Sequence, residues 1–274
     1  MTADVGTADV AAIELLDELG TNATIVGNLR LVGTWIIRST RGVPFNRANS
    51  ALVLHGDDVD DLDEKLAIAS VELARVDMPL QVHLSPAAHP LTDEALAARG
   101  LVAISPTLAL TTATADLAEA AIAAPDPGGA AEGVLRLEVA DEPVGPWLAG
   151  YAGDDGHGMG VARFRAYVAG VGRLVPDVGY CVARIDGRPA GVGFAVAERG
   201  WVGYYGIGTE HAARGRGVGT AVMGALAAWA RDRGAASSYL FTEADNVVAH
   251  RLYARLGFAP HHRSHFRVRA QRAE

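Results

Sequence analysis

The stretch RGRGVGT, Arg214–Thr220, sets three glycines and two arginines in seven residues directly ahead of a helical pattern. Val218, Val222, Leu226 and Trp229 recur at the spacing of an amphipathic helix packed on a sheet, and Gly234 suits its C-terminal stop. The helix therefore starts at the glycine turn. The first four N–H groups of a helix have no internal partner and carry the positive end of its dipole, so an anion can take them where no Cβ blocks its approach. Gly215, Gly217 and Gly219 clear that approach, and Arg214 and Arg216 add positive charge, a combination that suits a diphosphate. A nucleotide triphosphatase loop needs a lysine after the last glycine, and the chain's one lysine is Lys65. A dinucleotide fold wants its glycines after the first strand of a βαβ unit, whereas this turn follows an antiparallel-looking meander. A plain flexible loop ahead of a surface helix is the remaining alternative.

Working outward, the segments VLRLEVA, YCVARID, AGVGFAVAE and WVGYYGIGT read as strands before the turn. After the helix come a strand SSYLFTEA, a helix NVVAHRLYARLG and a strand FRVRA. Towards the N-terminus, WIIRST, ANSALVL, LQVHLS and LVAISPTLAL read as strands, with helices over LDEKLAIASVELARV and LTDEALAARG. Both halves end in the order helix, strand, helix closed by glycine, strand, which fits an old duplication. Thr111–Gly133, poor in large apolar residues and punctuated by PDPGG, reads as a linker. The expected division is residues 1–112, a linker over 113–133, and residues 134–274.

TEHAARGRGVGTAVMGAL followed by LFTEADNVVAHRLYARLGF resembles the acetyl-CoA-binding core of the GNAT superfamily of N-acetyltransferases. The turn matches that family's R/Q-x-x-G-x-G/A at Arg214, Gly217 and Gly219, and the later block matches N-x-x-A-x-x-L/F-Y-x-x-x-G-F from Asn246 through Tyr253 to Phe258. The likeness spans about residues 134–269; the first half is similar to the degenerate copy of tandem members. The fold class implied is α/β: a mixed, mostly antiparallel sheet flanked by helices, in tandem with a smaller GNAT-like half.

That resemblance implies an acetyl-CoA-dependent N-acetyltransferase acting directly on a primary amine of a small molecule or a protein N-terminus. The cofactor-binding set it implies is Ile207, Thr209, Arg214, Gly215, Arg216, Gly217, Val218, Gly219, Thr220 and Asn246. The strand ending YYGIGT is expected to splay from its neighbour, so that backbone at Ile207 and Thr209 meets the pantetheine arm and thioester. Asn246 also suits a helix N-cap.

Tyr253 is the candidate acid for the departing thiolate, lying at the edge of a buried face formed by Val248, Leu252 and Leu256. Many relatives place a glutamate in the strand before the turn, but WVGYYGIGT has no acid. Glu243 is therefore the chosen base, with Glu210, His211, Tyr204 and Tyr205 as alternatives, and a water or the substrate itself could fill that role. A non-catalytic acyl-CoA sensor or regulatory protein of the same fold is the rival, favoured by the missing glutamate.

Composition sets the remaining bounds. Half of the 274 residues are hydrophobic, with no run long enough to span a bilayer, and the acidic N-terminus lacks a signal's basic head. A cytoplasmic protein with no membrane partner is expected, and a homodimer is allowed. Cys181 stands alone, so no internal disulfide or cysteine metal cluster forms, and it reads as a small buried hydrophobe. Net charge is −8, divided at residue 133 as 7 Lys+Arg against 19 Asp+Glu (−12), then 17 against 13 (+4). The basic second half points to a phosphorylated cofactor rather than to nucleic acid, though two domains of different surface would give the same split. An acidic first half would favour a cationic acceptor. In HHRSH, Arg263 between His261 and His265 argues against a metal, and surface histidines are expected. DDGHGMG, Asp154–Gly160, reads as a loop between the early helices of the second half, and the resemblance implies that it borders the acceptor pocket.

Overall fold

A computed structural model of the chain describes residues 9–55, 61–124, 134–152, 161, 164, 168, 174 and 176–269. PDPGG and Asp154–Gly160 lie outside the described residues. The fold is mixed α/β and divides into two compact units: residues 1–109, 241–245 and 260–274 form one, and residues 110–240 and 246–259 the other.

The first unit contains helix α1 (Val10–Asn22), strands β1 (Asn28–Val32), β2 (Trp35–Ser39) and β3 (Ser50–Val53), α2 (Leu62–Ala74), β4 (Gln81–Leu84) and α3 (Pro90–Ala98). Strand β5 (Leu101–Ala113) begins in it, and β11 (Ala259–Arg269) completes it. Its strands run in the order β1-β2-β3-β4-β11. All neighbours are antiparallel except β3 and β4, which are parallel and joined through α2.

Alternation along the strands gives this sheet two different faces. Trp35, Ile37, Ala51, Val53, Val82 and Leu84 form an apolar core with Leu66, Leu73 and Leu96 of the helices. The opposite face buries Arg38, Ser50, Gln81 and His83, together with Asp17 of α1 and His262 and Ser264 of β11. Arg38 donates to Ser50 Oγ at 2.8 Å and to Thr21 Oγ1 at 3.4 Å, and His83 stacks on Phe266 with ring centroids 4.5 Å apart.

The expected surface histidines are corrected here: His262 is 1 % exposed, because odd and even residues of β11 face opposite ways and the even ones point inward. His265 instead bonds Asp93 at 2.8 Å. Among the described residues no group of three or more His, Cys, Asp or Glu could hold a metal, and no helix is long and apolar enough to cross a membrane.

The second unit holds the end of β5, α4 (Thr114–Ala123), β6 (Leu135–Ala140), α5 (Gly145–Ala152), β7 (Asp177–Ile185), β8 (Arg188–Glu198) and β9 (Trp201–Thr209). Helix α6 (Val218–Arg231), β10 (Ser237–Glu243, through Leu240) and α7 (Val247–Arg255) follow. The order is β10-β9-β8-β7-β6, antiparallel except for the β9–β10 pair that α6 joins. Each unit thus ends a meander with one parallel strand–helix–strand crossing.

The stretch read as a linker begins with the end of β5 and contains α4. Alanine favours helix, and Leu117 and Ala118 bury a small face; Ala121 sits so close to Gly224 of α6 that a Cβ there would approach within 2.7 Å. Cys181 is fully buried, and burial pushes its thiol up to about 12.

Candidate active site

Strand β9 carries the site because its pairing fails on both sides. Against β8, Val192 pairs with Gly208 and Phe194 with Tyr205, so Gly206 and Ile207 together oppose the single residue Gly193. This is a β-bulge, and Gly206 supplies its positive φ of +59°. A Cβ on Gly206 would come within 2.2 Å of the Tyr151 ring, so only glycine lets α5 lie on the bulge. On the other side, the parallel ladder with β10 covers Trp201–Gly203 against Ser237–Tyr239, and β9 runs on from Tyr204 to Thr209 beyond it. The ladder ends before the segment where the resemblance implies a splay.

Past the bulge, side chains turn towards α6. Ile207 packs over Gly193, where a Cβ would meet Ile207 Cδ1 at 2.5 Å and Val222 at 2.9 Å. Thr209 pairs with Gly191, whose own missing side chain admits Val218. Gly219 lies beside Thr209 Oγ1 and Leu252 Cδ2, at 3.7 and 3.3 Å from the position of a Cβ, so β9, the start of α6 and α7 meet at one point.

The helix start is open. Gly217 is the N-cap residue of α6, at φ +74°, and no side chain caps the helix. Gly215 shares that φ, and nothing lies within 4 Å of where its Cβ would be. Both glycines hold left-handed conformations that a side chain would strain. Arg214 is exposed and donates from Nε to Thr209 O at 3.5 Å, while Arg216 is half-buried. Val218, Val222, Leu226 and Trp229 are all buried, as their spacing indicates.

Asn246 caps α7, its Oδ1 accepting from Ala249 N at 3.1 Å. The buried face expected for α7 is corrected: Val248 is 80 % exposed and Leu252 half-buried, leaving Leu256, just past the helix, as the buried anchor. Three apolar residues at four-residue spacing defined that stripe, but a nine-residue helix held at its C-terminal end leaves its first turn in solvent. Tyr253 is half-buried, edge-on to Phe258 with centroids 5.8 Å apart, and burial raises its phenol above the usual value, keeping it protonated. Glu243 ends β10 as an exposed residue and belongs by contacts to the first unit.

Sequence reasoning named Tyr205 only in passing and did not pair it. Its hydroxyl lies 2.8 Å from that of Tyr239, in space that Gly203 leaves open: a Cβ there would come within 2.8 Å of both oxygens. On the opposite face Tyr204, Ser238 and Thr114 form a buried hydroxyl chain with steps of 3.2 and 3.0 Å. The signal was present in GYYG, where glycines flank two large aromatic residues.

Residues 137–258 match the Acetyltransferase (GNAT) family. The chain is 36 % identical over 63 residues to the uncharacterized N-acetyltransferase YobR of Bacillus subtilis (strain 168), and 45 % over 58 residues to the mycothiol acetyltransferase of Nocardia farcinica. These matches cover 23 and 21 % of this chain and only 25 and 19 % of those proteins. A GCN5-related N-acetyltransferase from Kribbella flavida superposes with a TM-score of 0.65 over 97 % of this chain and 98 % of that one, at 18 % identity, a likeness of fold across both halves.

Proposed function

We propose that this chain, whose residues 137–258 carry an acetyltransferase domain of the GNAT family, moves an acetyl group from acetyl-CoA directly to a primary amine of a small molecule or a protein N-terminus. The observation that carries this reading is the uncapped start of α6, opened by Gly215 and Gly217 in left-handed conformations and set against the bulged, parted end of β9. Backbone N–H groups over Gly215–Thr220 take the diphosphate, with Arg214 and Arg216 supplying charge. Ile207 and Thr209 offer main chain to the pantetheine arm and the thioester carbonyl, and Asn246, the N-cap residue of α7, adds the cofactor contact that the resemblance implies.

Acetyl-CoA, when bound, supplies an acyl group activated as a thioester. Tyr253 gives a proton or a hydrogen bond to the sulfur as the carbon–sulfur bond breaks, which its protonated phenol is suited to do. Glu243 is the proposed proton acceptor for the amine.

The absence of an acid from Trp201–Thr209 favours the rival, an acyl-CoA-binding protein without turnover. Calorimetry with acetyl-CoA, followed by thiol release across an amine panel, separates the two. Binding with turnover supports the enzyme, binding without turnover supports the sensor, and no binding removes both.

A further inference from the structure

Strand β6 (Leu135–Ala140) ends the strand order, antiparallel to β7 on one side and, among the described residues, paired with no strand on the other. Just before it, Val134 aims both backbone groups at Asp186 opposite: its oxygen accepts from Asp186 N at 3.2 Å, and its N–H donates to Asp186 Oδ1 at 2.9 Å. Backbone direction alternates along an antiparallel strand, and the β6–β7 ladder has no register shift. Arg136 and Glu138 therefore bond towards β7, while Leu135, Leu137 and Val139 turn N–H and C=O to the outer edge. Arg136, Leu137 and Glu138 are all exposed. The strand carries no proline, lysine or bulge, the devices that keep an edge from pairing.

We propose that this edge joins two copies of the chain, paired antiparallel about a two-fold axis at Leu137. Only residues whose backbone points outward can exchange hydrogen bonds across the edge, which restricts the register. A centre at Leu137 sets Leu137 against its own copy and Leu135 against Val139, and each of these pairs exchanges both N–H···O bonds. Between them Arg136 falls directly opposite Glu138, at the non-hydrogen-bonded positions where Cα atoms lie about 4.5 Å apart and side chains come closest. A centre one residue earlier would set Arg136 against Arg136, and one residue later Glu138 against Glu138, like charges in direct opposition. Centres at Leu135 or Val139 leave most of the strand unpaired. Leu135–Val139, LRLEV, thus complements itself read backwards.

Strand β1, at the other end of the strand order, exposes Leu29 and Leu31 but lacks this property. Arg30, its one charged residue, is tied to Glu72 at 2.6 Å, and no pairing of β1 with itself brings it an acid. On β6 the apolar row and the charged row occupy different faces. Gly179 abuts Trp229 of α6, so Cys181, two residues on, and Val139 opposite it share the α6 face with Leu137 and Leu135, and Arg136 and Glu138 lie on the other. A two-fold contact of this kind closes on itself, so assembly stops at two. With one strand from each copy it is smaller than a standard interface of about 1,600 Å², and a dissociation constant on the order of 10–100 µM is expected. The contact does not depend on acetyl transfer.

Sedimentation equilibrium of the full chain from about 5 to 500 µM tests the contact. Wild type should pass from monomer to dimer and stop there. Arg136→Glu and Glu138→Arg each set like charges against one another across the axis, so each should raise the dissociation constant at least about tenfold. Both side chains are exposed, so circular dichroism should not change. Mixed in equal amounts, the two single variants should form a heterodimer, because each then meets the opposite charge on the other. The double variant Arg136→Glu, Glu138→Arg should dimerise as wild type does. Leu137→Pro removes the N–H at the axis, spares the bonds to β7, and should weaken the dimer by a similar factor. Wild type that stays monomeric at about 500 µM, growth beyond two copies, single variants that dimerise as well as wild type, or a mixture that stays monomeric overturns the proposal.

Discussion

At the scale of single residues, burial decides which groups hold their protons. Burial raises Tyr253, so it holds its proton throughout neutral pH. Tyr253→Phe should keep the acetyl-CoA dissociation constant and lower kcat about 100-fold, measured by calorimetry and thiol release; equal rates would leave Tyr253 with packing against Phe258 alone. In the first unit the ordinary order of titration is inverted. Burial lifts Asp17 to about 6, with the Ser85 hydroxyl and the Arg47 and Arg38 guanidinium groups opposing it, while burial and neighbouring cations push His262 down to about 4. Since Asp17 titrates near 3.9 when unfolded, the native state binds the extra proton between about pH 4 and 6, and its charge destabilises the fold above that window. Asp17→Asn should therefore be more stable than wild type at pH 8 by up to about 3 kcal/mol, with the gain vanishing towards pH 4, as read by urea denaturation. His262 acts oppositely: its lowered value means stability is lost as pH falls below about 6.5.

At the scale of elements, two glycine substitutions probe the β9 bulge and the start of α6, the two parts of the proposed cofactor cleft. Gly206→Ala places a Cβ at positive φ and into the Tyr151 ring, so it should cost about 2–4 kcal/mol in denaturant and shift the α5 contact. Gly217→Val should leave helix content intact by circular dichroism and weaken acetyl-CoA binding at least tenfold, because a β-branched residue is strained at φ +74°; an unchanged constant would remove the assigned role.

Most of these elements were legible. Strand β9 was found at its true limits, because alternation bounded by turns marks it on both sides, and α6 because its apolar period is clean. Helix α1 and strand β1 were not found: α1 mixes acidic residues into its buried face, as Asp17 shows, and β1 exposes Leu29 and Leu31. Helix α4 hid in alanine and threonine, whose composition looks like a linker. The Tyr205–Tyr239 pair joins residues 34 positions apart on neighbouring strands, and no local pattern announces such a meeting.

At the scale of the whole molecule, the two strand–helix–strand crossings share a path and differ at the helix start. Helix α6 opens with glycine and arginine, whereas α2 opens with Asp61 in a left-handed conformation followed by Asp63 and Glu64 in its first turn. Acidic side chains occupy and repel where a diphosphate would sit. Calorimetry should accordingly return one acetyl-CoA per chain, and a stoichiometry of two would show that the acidic crossing binds as well. The division at 112 and 133 remains a proposal about ancestry, whereas the compact units describe packing.

Strand β11 gives that packing a temporal side. It pairs with β4 through His265–Val268, and its inward residues His262, Ser264 and Phe266 help roof the buried polar face of the first unit. On a ribosome, the β4 edge of the first unit stays open until residues 259–269 have been made, which leaves nascent chains exposed to edge pairing with one another.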